Sequence, residues 1–273
     1  MNKVVVKLMG GLGNQMYQYA FAKNISNLTN RQLLIDLSHF KRRDLGDDYS
    51  YRNFELDILD IKNCEIVDSF SENFIRYKNY IDNDINSVLK SISDIVSDKS
   101  DNIYLDGYWA SPLYQSDEIK SEFVLKDKIL EESKYLLNEI QSTNSVMIAI
   151  RRTDFLKNDF HGFYGKDYIL ESISKLQQTE TNLRFFIFSD DIEWCKENFP
   201  SDFLFSEEKD EFIDLYKMSR CANFIIANSS FSWWASFLSR SENKIIYAPE
   251  NWVGRGYSGT SWRQVYRKEM KII

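Results

Sequence analysis

Arg151 and Arg152 follow directly on an apolar run, Val146–Ile150, and lead into Thr153 and Asp154. A short apolar run bounded by charge reads as a buried strand, which sets both arginines at its carboxyl end. Successive side chains on extended backbone point to opposite faces. One guanidinium is therefore expected to meet an anionic ligand, and its neighbour to pair with a carboxylate such as Asp154. A unit charge at about 4 Å and an effective dielectric of 20 is worth roughly 4 kcal/mol, enough to make a fixed arginine useful against a diphosphate. The competing reading is that both arginines only bridge surface acids.

Three other stretches could do related chemistry. In "LMGGLGNQMYQYA" a strand runs into Gly10, Gly11 and Gly13 and then into a helix, which brings backbone N–H groups to a helix N-terminus, a setting that suits a phosphate. Asn14 and Gln15 add two uncharged amides able to hydrogen-bond a diphosphate or a sugar. Gly11, Gly13 and Asp36 imitate a dinucleotide fingerprint, but Met16 stands where that fingerprint needs a small residue, so an NAD-dependent oxidoreductase is disfavoured. In "RFFIFSDDIEW" the triplet Ser189-Asp190-Asp191 either holds a divalent ion or caps the following helix, and the cap is preferred. In "FIIANSSFSWWASFLS" Asn228, Ser229 and Ser230 lie between a strand and an amphipathic helix, facing an anion at the positive end of the helix dipole. Trp233 and Trp234 read as core.

These residues need elements to hold them. The chain has 273 residues, 43% hydrophobic and 15% aromatic, which is a globular composition with room for two domains. Its net charge of −7 and lack of a basic block exclude a nucleic-acid binder, so an anion must be held by a local cluster. Cys64, Cys195 and Cys221 lack metal or redox spacing and are expected to be buried free thiols in a reducing compartment. With only His39 and His161 present, a Ser/His/Asp triad or a zinc site is hard to assemble. The opening apolar run is too short for a signal segment and nothing approaches 18 apolar residues, so the expected location is the cytoplasm, with peripheral association at the inner face of a membrane allowed.

The pattern predicts strand Val4–Met9, a turn at Gly10–Gly13, helix Asn14–Ser26 and strand Gln32–Asp36. Lys41–Ser100 reads as insertions and short helices. A strand is expected at Asn102–Trp109, and a helix at Lys126–Gln141 that closes the first half. From Val146 onward strands and helices alternate, which implies a parallel sheet covered on both faces. Two open α/β units, residues 1–143 and 144–273, would bind ligand beyond the carboxyl ends of their strands.

"GGLGNQMYQYAFA", "IRRTDF" and "MSRCANFIIANSSFSWWASFL", supported by "LDGYW" and "APENWV", resemble the motifs of the bacterial α-1,2-fucosyltransferases of glycosyltransferase family 11, in order, from about residue 3 to 252. The resemblance implies an α/β protein of GT-B type, two facing Rossmann-like domains with mostly parallel sheets. It implies an inverting transferase that moves L-fucose from GDP-β-L-fucose to a sugar hydroxyl, α-1,2 to galactose of a bacterial surface glycan, without a metal or other cofactor. The first domain would carry the acceptor side and the second the GDP-sugar. Its partners would be that donor and an oligosaccharide or glycolipid acceptor. Arg151, Asp154 and Asn14 are the implied catalytic set: Arg151 holds the β-phosphate and Asp154 orders the arginine loop. The implied donor set adds Arg152, Asn228, Ser229, Ser230 and Phe231, with Asp190 or Asp191 on guanine and Gly11, Gly13 and Asn14 approaching from the first domain.

Departures from the family pattern are Ala149, where a histidine usually precedes the first arginine by two residues, Thr153 in place of a frequent glycine, and the poorly matching tail from Gly256 onward. Two alternatives stand beside this reading: a metal-dependent nucleotide-sugar transferase with an altered donor, using Asp190 and Asp191, and a catalytically silent nucleotide-binding homologue, suggested by Ala149. His161, Asp154, Asp36 and Glu250 stand unranked as general bases for the acceptor hydroxyl.

Overall fold

A computed structural model of the chain describes residues 2–44, 51–61, 64–67, 73–79, 85–124, 134–157, 160–253 and 262–273. The chain divides into two units.

The first unit comprises Met1–Val124 with Trp262–Tyr266. Its elements are β1 (Lys3–Lys7), α1 (Leu12–Thr29), β2 (Gln32–Asp36), the single turn α2 (Ser38–Lys41), β3 (Glu65–Val67), β4 (Ile75–Asn79), α3 (Ile85–Ser97), β5 (Asn102–Gly107) and the single turn α4 (Ile119–Glu122). The strands form one parallel sheet in the order β3-β2-β1-β5-β4. β1 lies at the centre, so Val4, Val5 and Val6 are all buried and the strand reads as a continuous apolar run. α1 starts two residues before the expected Asn14, and Asn30 ends it in the left-handed region.

Two strands were not foreseen in Lys41–Ser100. β3 and β4 lie at the sheet's two edges with mostly exposed side chains, so neither shows the apolar run or alternation by which a strand is recognised. β4 is drawn close to β5 at Gly107, where an added Cβ would stand 1.9 Å from the Asn79 carbonyl oxygen. Gly107→Ala is accordingly expected to separate the two strands and cost about 1–3 kcal/mol or more, read as a fall in the denaturant midpoint.

The second unit comprises Leu125–Ser261 with Arg267–Ile273. Its elements are α5 (Lys134–Ser142), β6 (Asn144–Ile150), α6 (Lys166–Gln177), β7 (Leu183–Ser189), α7 (Ile192–Asn198), β8 (Leu204–Phe205), α8 (Glu211–Ser219), β9 (Asn223–Ile225), α9 (Ser230–Leu238), β10 (Ile246–Ala248) and β11 (Met270–Ile272). The sheet is parallel, in the order β11-β10-β9-β6-β7-β8. The expected boundary at 143 moves to Val124, because α5 packs on β6 and α8 and so counts with the second unit. Residues 126–133 of its expected span fall outside the described ones.

The core on one face of this sheet packs Val146, Ile148 and Ile150 of β6 against Ile169, Ile173 and Leu176 of α6 and Phe185 and Ile187 of β7. Burying each such side chain is worth about 1.5–3 kcal/mol, which fixes strand order and register. Cys195 and Cys221 are buried and free as expected, whereas Cys64 is half-buried.

Candidate active site

In the second sheet β9, β6 and β7 are consecutive neighbours running the same way. Their carboxyl ends therefore bring Asn228–Ser230, Arg151–Asp154 and Ser189–Asp191 to one edge, where such sheets bind ligands.

Ile150 pairs in register with Ser189, so the two residues that follow on β6 meet the two that follow on β7. Arg151 donates from Nε and Nη2 to the two carboxylate oxygens of Asp154, both at 2.9 Å, and its Nε lies 3.3 Å from Asp190 Oδ2. Arg152 donates from Nη1 to Asp191, and its guanidinium carbon sits 4.8 Å from the centroid of the Trp194 ring. Both arginines are thus ion-paired: the expected pairing with Asp154 falls to Arg151, and β7 supplies the neighbouring carboxylates of Asp190 and Asp191. Burial works against the charge on Arg151, but the hydrogen bond it donates to Asp154 and the charges of Asp190, Asp154 and Glu211 outweigh it, so its proton is held more firmly than in a free arginine. Nη1 of Arg151 has no hydrogen-bond partner among the described residues.

Asp190 is the organiser of this loop. Its carboxylate accepts from Arg152 N at 2.8 Å, Thr153 N at 3.2 Å and Thr153 Oγ1 at 2.5 Å. Asp191 is the N-cap of α7, accepting from Trp194 N at 3.3 Å. Both carboxylates are therefore spent on the protein itself.

The serine stretch differs in kind. Ser229 is the N-cap of α9 but makes no side-chain cap bond, and neither its hydroxyl nor that of Ser230 has a partner among the described residues. Within the helix the N–H groups of Ser230, Phe231 and Ser232 have no acceptor, and Phe231 is half-buried. Two hydroxyls and the positive end of a helix dipole thus stand uncommitted beside the arginine loop. Trp233 and Trp234 are wholly buried, as core residues should be. Asn228, expected on the donor, is buried and acts as a brace: its Nδ2 donates to the carbonyls of His161 at 2.6 Å and Trp252 at 3.2 Å.

In the first unit the glycine turn needs Gly10, whose φ of 76° lies in the left-handed region. At Gly11 an added Cβ would meet nothing within 4 Å, so that position faces open space. Gly13 is buried in the first turn of α1, and Asn14 remains half-exposed. Gln15, expected to face a ligand, is corrected to a buried lock: its Nε2 donates to Gly10 O and Asn53 O, both at 2.8 Å, and its Oε1 accepts from Glu55 N at 2.9 Å. Gln18 clamps Met9 through both its N–H, at 2.9 Å, and its carbonyl, at 3.2 Å. Of the base candidates, Asp36 is 2% exposed and takes hydrogen bonds from Tyr104, Ser38 N and Ser38 Oγ, while Glu250 is exposed.

Sequence reasoning missed a second polar cluster in the second unit, after β8. Burial pushes the Asp214 carboxyl up to about 7, although Ser206 Oγ donates to it at 2.6 Å. Beside it the wholly buried Lys217 reaches Glu208 at 3.1 Å. A signal was present: Lys217 is four residues from Ile213, on the apolar stripe of α8.

Two parallel α/β sheets, one with an arginine pair and a helix headed by two serines at its carboxyl edge, are the parts of a GT-B-type fold. The sequence model of glycosyl transferase family 11 matches residues 2–271, and the chain belongs to that family. Over 93% of its length it is 34% identical to the Escherichia coli alpha-1,2-colitosyltransferase, covering 94% of that protein. It is 29% identical to the E. coli O-antigen biosynthesis glycosyltransferase WbnK, over 90% of this chain and 93% of the other. Among solved structures the fold is similar to that of the Bradyrhizobium α-1,6-fucosyltransferase NodZ soaked with GDP-fucose, with a TM-score of 0.56 and 15% identity over 87% of this chain and 92% of that one.

Proposed function

We propose that this glycosyltransferase is inverting and metal-independent, and that it moves L-fucose from GDP-β-L-fucose to a galactose hydroxyl, in α-1,2 linkage, on an oligosaccharide or glycolipid of a bacterial surface glycan. The observation that carries the reading is the uncommitted Nη1 of Arg151, held by two carboxylates on a strand next to the one leading into the uncommitted serines of α9. The second unit is then the donor side and the first the acceptor side. NodZ lends support as a protein of the same fold soaked with GDP-fucose.

Breaking the anomeric bond throws negative charge onto the diphosphate. Arg151 Nη1, the Ser229 and Ser230 hydroxyls and the first N–H groups of α9 are placed to absorb it, the task a divalent ion performs elsewhere. As GDP departs, the acceptor hydroxyl attacks from the opposite face and gives up its proton to solvent, turning the β-donor into an α-product. Asp154 and Asp190 are positioning residues that aim Arg151. Because Asp190 and Asp191 already serve the arginine loop, neither offers a free carboxylate to a metal.

A second reading concerns the sugar alone. A relative with 34% identity is named for colitosyl transfer, and colitose differs from L-fucose by the absence of the 3-hydroxyl. Incubating the enzyme in excess chelator with GDP-fucose or its 3-deoxy counterpart and a panel of galactosides, with mass detection, tests both readings. Transfer of an intact deoxyhexose, unaffected by chelator, is expected; activity that vanishes and returns with a divalent ion would overturn metal independence. Preference for the 3-deoxy donor would select the second reading, and no transfer from either donor would reject both.

A further inference from the structure

His161 belongs to the second unit and has no role in the scheme above. Its ring stacks on Phe155 with centroids 4.5 Å apart and planes 8° from parallel, and Phe160 meets it edge-on at 5.4 Å. Phe155 directly follows Asp154, and the His161 carbonyl is held by Asn228, which directly precedes Ser229. The imidazole is thus pinned to the arginine loop through its ring and to the serine stretch through its backbone. Neither ring nitrogen has a hydrogen-bond partner among the described residues. A half-buried histidine with both nitrogens free, beside an anion site, is in place for a ligand.

We propose that His161 is a donor-binding residue that takes up a proton when the nucleotide sugar binds and presents an imidazolium N–H to the diphosphate beside Arg151. The inference rests on the assignment of a GDP-sugar to this site. Among the described residues, the charged groups facing His161 are Asp154 and Arg151. Burial holds the free imidazole below its ordinary value, Asp154 opposes this and Arg151 adds to it, so the ring is neutral at pH 7. An arriving diphosphate reverses the balance, since a nearby anion favours the charged ring. The proton comes from solvent. Between the free-state and bound-state values, affinity strengthens as pH falls. The same placement argues against His161 as the base, because in an inverting displacement the base lies across the sugar from the diphosphate, whereas His161 accompanies Arg151.

The test is calorimetric titration with GDP-β-L-fucose, whose phosphates do not titrate near neutrality, in two buffers of different protonation enthalpy. Wild-type protein is expected to take up a fraction of a proton at about pH 7, and to bind more tightly near pH 6 than near pH 8, by up to about tenfold per pH unit. His161→Gln keeps a hydrogen-bond donor but cannot titrate. It should show no uptake, a flat pH dependence and binding about tenfold or more weaker near pH 6. Binding to wild type without proton uptake would overturn the inference and leave the donor assignment standing, and this arm does not depend on the variant folding. Undiminished uptake in a folded His161→Gln protein would also overturn it. Failure of wild type to bind GDP-fucose at all would overturn the donor assignment, and this inference with it.

Discussion

Replacing Arg151 with alanine is expected to lower kcat by about 10² to 10³, the usual cost of removing one preorganised donor to developing transition-state charge. Arg151 is clamped through Nε and Nη2 by Asp154, with Asp190 3.3 Å from Nε, so its remaining nitrogen is aimed without reorganisation. The alanine variant also leaves Asp154, Asp190 and Glu211 with less compensating charge, which separates the two obvious variants. Arg151→Lys restores a cation near these acids but cannot hold Asp154 with two parallel bonds and still point at a phosphate. It should regain stability and remain at least about tenfold impaired. The measurement is steady-state transfer kinetics beside circular dichroism; an alanine variant that is folded and keeps half of the wild-type turnover would remove Arg151 from the mechanism.

Asp190→Ala is the second large effect. It deletes the acceptor for Arg152 N, Thr153 N and Thr153 Oγ1, and one of the two carboxylates beside Arg151. Hydrogen bonds to a charged group are worth about 1.5–3 kcal/mol each, so the loop should loosen and kcat/KM fall by about 10² or more. Asp190→Asn keeps one oxygen and should recover part of the loss. A divalent-ion titration distinguishes this structural role from a metal site: the defect should be the same at every metal concentration. A defect rescued by added metal would mean that Asp190 holds an ion.

What the sequence determined alone was local. The alternation after Val146 gave the parallel sheet of the second unit, since a strand buried on both faces must be apolar throughout and a covering helix must carry an apolar stripe. The glycine turn into α1, the arginines at the end of β6 and the serines ahead of α9 were legible because each is a short stretch whose geometry depends on its own residues. The motifs that place the chain in family 11 are likewise contiguous.

Tertiary structure decided which side chains meet. Asp190 caps a loop 37 and 38 residues away because β7 lies next to β6 in register, and no local pattern encodes strand order. The same adjacency set Asp191 against Arg152. Gln15 and Asn228 looked like ligand amides from their positions, but packing buried them and turned their amide N–H groups to backbone carbonyls. β3 and β4 escaped notice for the opposite reason: at a sheet edge little is buried, so little apolar signal is required.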